Sequence, residues 1–182
     1  MNLFLIFEKL NPVVYTSECI TPNHYAIFIP KEWCFIFHKV LKNELFYNSS
    51  TLIEQSAIDT KYFDKFNDEF HLNFKNKRIM LYNILYFYFI RIRLSIFLSL
   101  NIGESIKSID SLYPNANWVE REVSEMFNIF YFNKKDTRNL LLDYYRNEYP
   151  MLKEYPSEGY YDLYYDFFED QLQYIENELI EL

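Results

Sequence analysis

The chain has 182 residues, of which 50% are hydrophobic and 21% aromatic, so it can bury the core of one domain. Its formal net charge of −8 disfavours nucleic acid as a partner, because an acidic chain repels phosphate backbones. Cys19 and Cys34 are its two cysteines, and there is no C-x-x-C pair. With three dispersed histidines, the sequence predicts no disulfide framework, metal site or iron–sulfur cluster in this chain.

The first third of the chain contains signals for two strands and a helix. Residues 25–29 form a short apolar run that Pro30 closes, which predicts a strand. Apolar residues at helical spacing across 31–45 predict an amphipathic helix. Residues 51–58 are predicted to form the next strand, and the polar and aromatic stretch 59–77 is predicted to be a loop.

The stretch 79–102 is apolar enough to imitate a membrane span. Arg91 and Arg93 lie at its middle, where each would cost about 2.5–3.5 kcal/mol on insertion scales, so two strands explain it better. Residues 79–89 are rich in aromatic and branched side chains, and residues 91–100 alternate between apolar and polar. The join between them lacks the Asn-Gly or Gly turn that a tight hairpin favours. The predicted fold class is α+β, with a small, mostly antiparallel sheet packed against amphipathic helices.

The last third is predicted to be more irregular. Residues 105–112 are predicted to form a short helix or turn, and 117–130 a second amphipathic helix. Beyond them we expect extended chain and then an acidic helix, whose apolar stripe is Phe168, Leu172, Ile175, Leu179 and Leu182. We therefore divide the chain into an α+β domain at 1–112 and, within the same globular unit, the helix with a partner-wrapping extension at 113–182.

The helix at 117–130 carries four charged residues of interest. Glu122 lies about 60° from the centre of the apolar stripe on a helical wheel, which predicts a half-buried carboxylate. Glu120, Arg121 and Glu125 are predicted to face outward, with Arg121 and Glu125 as an i, i+4 pair. A half-buried carboxylate needs a donor, either Arg138 or an arginine of a partner protein. A solvated helix face is the alternative.

Several spaced motifs between residues 113 and 156 occur together. The first motif matches at Glu120, Arg121, Glu122, Glu125, Met126 and Phe127. The second matches at Asp136, Arg138, Leu140, Leu141, Asp143 and Tyr144. The third matches at Pro150, Met151, Lys153, Glu154, Tyr155 and Pro156. These motifs resemble the thirty-kilodalton subunit family of the respiratory NADH–quinone oxidoreductase, and looser similarity extends the resemblance to about residues 25–166.

The chain departs from the family pattern at a few positions. Asn128 stands where the family has Gly, and because Asn tolerates a left-handed conformation, a helix cap at this position can survive. Lys134 and Lys135 replace His-Pro, and Glu148 and Tyr149 replace Gly-His. These differences change individual contacts, but they leave the resemblance to the family intact.

The resemblance implies a structural subunit of the quinone module in the peripheral arm of an H⁺-translocating NADH:ubiquinone reductase. It implies that the chain packs against the forty-nine-kilodalton subunit and has no catalytic residue and no cofactor, with FMN and iron–sulfur clusters held by partner subunits. It also implies a location on the matrix side of the mitochondrial inner membrane. The expected interface or structural residues are Glu120, Arg121, Glu122, Glu125, Asp136, Arg138, Asp143, Pro150, Lys153 and Pro156.

Two other functions compete with this interpretation. A hydrolase with paired carboxylates is disfavoured, because Glu120 and Glu122 are about 200° apart around a helix and do not converge. The remaining alternative is a stand-alone protein-interaction module without a respiratory role.

Overall fold

The computed structural model describes residues 16–21, 23–43, 50–62, 77–144 and 148–177. The strands in these ranges are β1 (Thr16–Thr21), β2 (His24–Phe28), β3 (Ser50–Asp59), β4 (Ile79–Phe87), β5 (Ile92–Leu100), β6 (Ser105–Lys107), β7 (Phe130–Phe132), β8 (Tyr161–Asp166) and β9 (Gln171–Glu176). The helices are a 3-10 turn at Lys31–Trp33, α1 (Cys34–Asn43) and α2 (Ala116–Phe127). The predicted α+β class is confirmed.

A five-stranded sheet in the order β1-β2-β5-β4-β3 forms the centre of the fold. Within this sheet only β2 and β5 pair in parallel, so it is mostly antiparallel, as predicted. β4 and β5 occupy the stretch that imitates a membrane span, joined by a four-residue turn in which Arg91 adopts a left-handed φ of 53°. That longer turn explains why no Asn-Gly pair is needed. None of the helices in the described ranges is both long and apolar enough to cross a membrane.

One face of this sheet carries the hydrophobic core. Alternation along β4 and β5 buries Leu85 and Ile96 completely, because the sheet period of two sends every second side chain to the same face. Helix α1 adds Phe37 and Leu41, and α2 adds Val123. The predicted helix over 31–45 is therefore confirmed as a 3-10 turn followed by α1 up to Asn43, and its last two predicted residues lie outside the described ranges.

The segments on either side of α2 differ in part from their predictions. Residues 105–112 were predicted to form a short helix or turn; the turn is confirmed at 110–112, but residues 105–107 form the short strand β6. Parallel pairing with β7 draws Ile106 into the core. Helix α2 ends at Phe127, three residues earlier than predicted, and Asn128 caps it at φ 56° and ψ 50°. The prediction that Asn128 can replace Gly as a left-handed cap is confirmed.

The predicted acidic C-terminal helix is wrong within the described residues. Residues 161–176 form an antiparallel hairpin of β8 and β9, and residues 178–182 lie outside the described ranges. Large apolar residues occur at every second position, at Tyr161, Leu163 and Tyr165 of β8 and at Leu172 and Tyr174 of β9. This period of two overrides the four-and-three spacing of Phe168, Leu172 and Ile175.

Candidate functional site

Helix α2 and the chain that follows it bring together most of the charged residues singled out in the sequence. Glu120 lies on the face of α2 that meets the core and is 0% exposed. Its carboxylate accepts hydrogen bonds from Ser108 Oγ at 2.6 Å, Ile109 N at 2.8 Å and Lys134 Nζ at 2.9 Å. The Lys134 side chain is only 2% exposed, so this is a buried ion pair with additional donors.

The carboxyl group of Glu120 titrates in an unusual environment. Burial raises the pKa of Glu120 above its ordinary value, and the hydrogen bonds from Ser108, Ile109 and Lys134 offset only part of that effect. A buried carboxylate without those donors would cost several kcal/mol, so the three donors are what allow Glu120 to lie in the core. Glu120 thereby ties α2 to the segment after β6 and to the segment after β7.

Glu125 attaches a second part of the chain to α2. Its carboxylate accepts the backbone N–H groups of Leu140, Leu141 and Leu142 at 3.0, 2.9 and 3.2 Å. Three successive N–H groups that converge on one carboxylate form a compact anion-binding turn. The segment around residue 141 has no helix or strand of its own, so Glu125 supplies hydrogen bonds that secondary structure would otherwise provide.

Arg121 lies one turn before Glu125 on α2 and binds the same segment through the segment's backbone carbonyl groups. It donates to the carbonyl oxygens of Arg138 at 2.7 Å and Asn139 at 2.9 Å, and it approaches Asp136 Oδ2 at 3.4 Å. Arg138 in turn forms two hydrogen bonds with Asp136, at 2.9 and 2.8 Å. Those bonds from Arg138, its backbone N–H and the charge of Arg121 hold the pKa of Asp136 below its usual range.

These contacts correct the predicted arrangement of the helix. Glu122 is exposed and not half-buried, whereas Glu120 and Glu125, predicted to face outward, are buried. Arg138 pairs with Asp136 and not with Glu122, and Arg121 bonds the following loop in place of the predicted pair with Glu125. The reason is that α2 is covered twice, by the sheet on one side and by the chain at 134–142 on the other.

The third motif, at residues 150–156, is bonded to the sheet where β3 ends and β4 begins. Lys153 donates its backbone N–H to Asp59 Oδ2 at 3.0 Å, and Arg78 forms a bidentate pair with the same carboxylate at 2.9 and 2.7 Å. Although burial opposes it, these donors bring the pKa of Asp59 below its ordinary value. Glu154 completes the cluster through Arg78 and Lys61.

The remaining predicted residues lie around this cluster. Pro150 and Pro156 are half-buried, and Met151 between them donates its N–H to the Met126 carbonyl at 3.2 Å. Asp143 is exposed and accepts a hydrogen bond from Tyr174 at 2.9 Å. Glu122, by contrast, is exposed and takes no part in the hydrogen bonds and ion pairs described above.

Sequence reasoning missed four residues of the site: Ser108, Lys134 as the ion partner, Asp59 and Arg78. A signal existed for a buried partner of Glu120, the role that Lys134 fills. The stripe Ala116, Glu120, Val123 and Phe127 fits helical spacing as well as the predicted stripe, and it places an acid where only a paired acid is tolerated. Asp59 and Arg78 meet because β3 ends opposite the start of β4, and no local pattern announces that pairing.

A cavity of about 420 Å³ opens between α2 and the chain that follows β7. Among its lining residues are Arg121, Glu125, Asn128, Phe130, Arg138 and Tyr149. The charged groups of Arg121, Glu125 and Arg138 are already bonded within the chain, to residues 136–142. These side chains therefore hold the segment at 136–142 on α2. Within the described residues, no group of three or more His, Cys, Asp or Glu side chains could hold a metal ion.

Cys34 and His38 are four residues apart on α1, a spacing that the prediction of dispersed ligands overlooked. His38 Nδ1 lies 2.8 Å from the Cys34 carbonyl oxygen, and Asn83 Nδ2 lies 3.4 Å from His38 Nε2. Burial lowers the pKa of His38 to about 4 and raises the pKa of Cys34 to about 12. Both groups are therefore neutral at pH 7 and serve as a buried polar pair of the core.

The sequence is similar to a known family over most of its length. The family profile described as "Respiratory-chain NADH dehydrogenase, 30 Kd subunit" matches residues 27–161. NADH-ubiquinone oxidoreductase subunit 9 of Paramecium primaurelia is 39% identical over 182 residues, which is 100% of this chain and 86% of the relative. The same subunit of Paramecium tetraurelia is 36% identical over 182 residues, again 100% of this chain and 86% of the relative.

Two solved structures share the fold. A chain of the membrane-bound sulfane sulfur reductase, an archaeal respiratory membrane complex, superposes with a TM-score of 0.64 at 17% identity, covering 84% of this chain and 82% of that one. A trypsin-resistant fragment (1–134) of Nqo5 superposes with a TM-score of 0.59 at 15% identity, covering 75% of this chain and 99% of the fragment. Taken with the profile match and the Paramecium relatives, the chain belongs to the thirty-kilodalton subunit family of the respiratory-chain NADH dehydrogenase.

Proposed function

We propose that this chain is a cofactor-free structural subunit of an NADH:ubiquinone oxidoreductase, placed in the quinone module of its peripheral arm. The observation that carries the proposal is the match to Paramecium subunit 9 over all 182 residues, because it covers the whole site as well as the sheet. The enzyme activity then belongs to the assembled complex, which oxidises NADH, reduces ubiquinone and translocates protons, and this chain contributes no catalytic residue.

The geometry of the site supports a role in holding neighbouring subunits. Buried Glu120 and Glu125 fix the chain at 134–142 onto α2, so the surface built from that segment has one defined shape. Three large side chains at this surface are exposed: Trp118 is 63% exposed, Phe130 is 53% exposed and the Arg138 side chain is 71% exposed. Aromatic and arginine side chains on a rigid surface are the residues that most often carry binding energy at protein interfaces.

We assign this surface to the forty-nine-kilodalton subunit. The electrons pass through FMN and iron–sulfur clusters of the partner subunits, and this chain keeps those subunits in register. A rigid surface is needed for that task, because a displacement of about 1 Å at a site of chemistry can cost on the order of a hundredfold in rate. The hydrogen bonds that hold residues 134–142 to α2 and Lys153 to the sheet provide such rigidity.

The same proposal places the chain on the matrix side of the mitochondrial inner membrane, held there by the other subunits. The Paramecium relatives named as NADH-ubiquinone oxidoreductase subunit 9 support it. The abundance of Phe, Tyr, Ile, Asn and Lys fits an AT-rich, organelle-encoded gene, although an AT-rich bacterial gene would have the same composition.

The experiment that tests the proposal is a native gel of detergent-solubilised membranes, stained for NADH oxidation, with mass spectrometry of the stained band. We expect the chain to occur in the NADH-oxidising band together with the forty-nine-kilodalton subunit. If the chain migrates alone or with unrelated proteins, the proposal is wrong and the stand-alone interaction module replaces it.

A further inference from the structure

Strand alternation divides the C-terminal hairpin into two different faces. One face carries Tyr161, Leu163 and Tyr165 of β8 opposite Glu176, Tyr174 and Leu172 of β9. We call the five large residues of this set, Tyr161, Leu163, Tyr165, Leu172 and Tyr174, the apolar face. Because cross-strand pairs such as Leu163–Tyr174 and Tyr165–Leu172 lie side by side, the apolar face is continuous.

The opposite face of the hairpin is polar and bonded to itself. Tyr164 donates its hydroxyl to Gln173 Oε1 at 2.6 Å, and Gln173 Nε2 donates to Asp166 Oδ2 at 3.3 Å. These bonds link the two strands and give the polar side chains partners within the hairpin. Ile175 is the one large aliphatic residue on this face, which makes it a natural control position.

The apolar face is open to solvent. Leu163 is 53% exposed and Leu172 is 61% exposed, and at the turn Phe167 and Phe168 are 86% and 101% exposed. Together these side chains make an apolar patch on the order of a few hundred Å², the size at which patches on soluble proteins mark interaction sites. Among the described elements, no other strand or helix packs extensively against this hairpin. An isolated two-stranded hairpin is at best marginally stable in water. The hairpin therefore gains from a surface that covers its apolar face.

The charge of the hairpin restricts what that surface can be. Residues 158–177 contain no Lys, Arg or His and six carboxylates, which are Glu158, Asp162, Asp166, Glu169, Asp170 and Glu176. An anionic lipid surface or a second copy of the hairpin would be repelled by this charge. A protein surface rimmed with lysine and arginine would be attracted to it and oriented by it.

We propose that the hairpin docks through its apolar face onto another protein of the complex, on a surface with an apolar centre and a rim of lysine and arginine side chains. Leu163 and Leu172 fill the centre, and the carboxylates of Glu169, Asp170 and Glu176 pair with the rim. This inference rests on the proposed function, since it takes the partner to be a neighbouring subunit of the same complex.

Carbodiimide coupling on the purified complex tests the docking without any substitution. The reagent joins carboxylates to lysine amines in direct contact, and the hairpin has no lysine of its own. We expect mass spectrometry to find Glu169, Asp170 or Glu176 joined to lysines of a second subunit. The Lys61–Glu154 pair within the chain is the positive control for coupling.

If Lys61 couples to Glu154 while the hairpin carboxylates couple to nothing or only to lysines of this chain, the docking proposal is overturned. That result leaves the proposed function intact, because the chain was recovered in the complex. If the chain is missing from the purified complex, the proposed function itself has failed.

Matched substitutions test the apolar face separately. We expect Leu163→Ser combined with Leu172→Ser to reduce recovery of the chain with the complex about tenfold. Ile175→Ser, on the opposite face of the same strand as Leu172, should leave recovery unchanged. Circular dichroism of each full-length variant confirms that the sheet still folds, and equal losses for the two faces would contradict docking through the apolar face.

Discussion

Two regions of this molecule differ in which groups they bury and which they expose to solvent. Around α2, the carboxylates of Glu120 and Glu125 are buried and bonded to groups of the same chain. In the C-terminal hairpin, the carboxylates are in solvent and large apolar side chains such as Phe168 and Leu172 are exposed. The comparison shows that the first region satisfies its charges within the chain, whereas the second leaves large apolar side chains exposed, for which we propose a docking partner.

The largest expected effect comes from breaking the buried ion pair. Lys134→Met leaves Glu120 charged in the core, and we expect the free energy of unfolding at pH 7 to fall by about 3–5 kcal/mol. Because the pKa of Glu120 is already raised, acidification should protonate it and reduce this loss. Denaturant unfolding at pH 7 and pH 5 measures both effects. Lys135→Met, at the exposed neighbouring position, is the control.

A smaller loss is expected when the fastening at Glu125 is removed. Glu125→Ala leaves the N–H groups of Leu140, Leu141 and Leu142 without their acceptor, which should cost about 2 kcal/mol. Glu122→Ala removes a carboxylate from the same helix at an exposed position and should change stability by less than about 0.5 kcal/mol. Thermal unfolding compares the two variants, and equal losses would show that Glu125 fastens nothing.

The far end of the sheet should show the opposite pH dependence from Glu120. Because the folded-state pKa of Asp59 is below its ordinary value, its pairing stabilises the fold above about pH 4 and is lost as the pH falls through that folded-state pKa. Asp59→Asn should cost about 1–2 kcal/mol at pH 7 and flatten the acid limb of the stability curve. Unfolding from pH 7 to pH 3 measures this, and an unchanged acid limb would contradict it.

The smallest effect on stability is expected in the hairpin. Leu172→Ser should change the unfolding free energy of the free chain by less than about 0.5 kcal/mol, since the residue is mostly exposed. Leu85→Ser, at a completely buried leucine of β4, is the contrasting variant and should be severely destabilising. If Leu172→Ser destabilised the free chain as much as a core substitution, the apolar face would be packed within the chain itself.

The parts of the fold that were predictable are those in which a single face is buried. The strands at Ser50–Asp59, Ile79–Phe87 and Ile92–Leu100 carry the alternation that one buried sheet face imposes, so the sequence predicts them within two residues. Helix α2 was predicted with the wrong face toward the core, because the stripe that includes Glu120 fits helical spacing as well as the stripe that was chosen. Glu125 was assigned to solvent because residues 134–142 cover the second side of α2, and no local pattern reveals that cover.

The hairpin shows a different limit of sequence reasoning. Phe168, Leu172 and Ile175 fit a helical stripe, while Leu163, Tyr165, Leu172 and Tyr174 fit alternation, so two periods compete in the same residues. Its turn contains no Gly, and Asp170 takes the left-handed conformation at φ 53° instead. The family motifs at residues 113–156 were found by resemblance, but the contacts of Asp59 and Arg78 required the three-dimensional register of β3 and β4.

Hydrogen–deuterium exchange of the full-length chain, alone and in the purified complex, tests the central claim most directly. We predict that the amides of Leu140, Leu141 and Leu142 are protected in both states, because Glu125 of the same chain holds them. We predict that amides of β8 and β9 exchange rapidly in the free chain and become protected in the complex. A hairpin equally protected in the free chain, or still unprotected in the complex, would contradict the claim that another protein of the complex completes it.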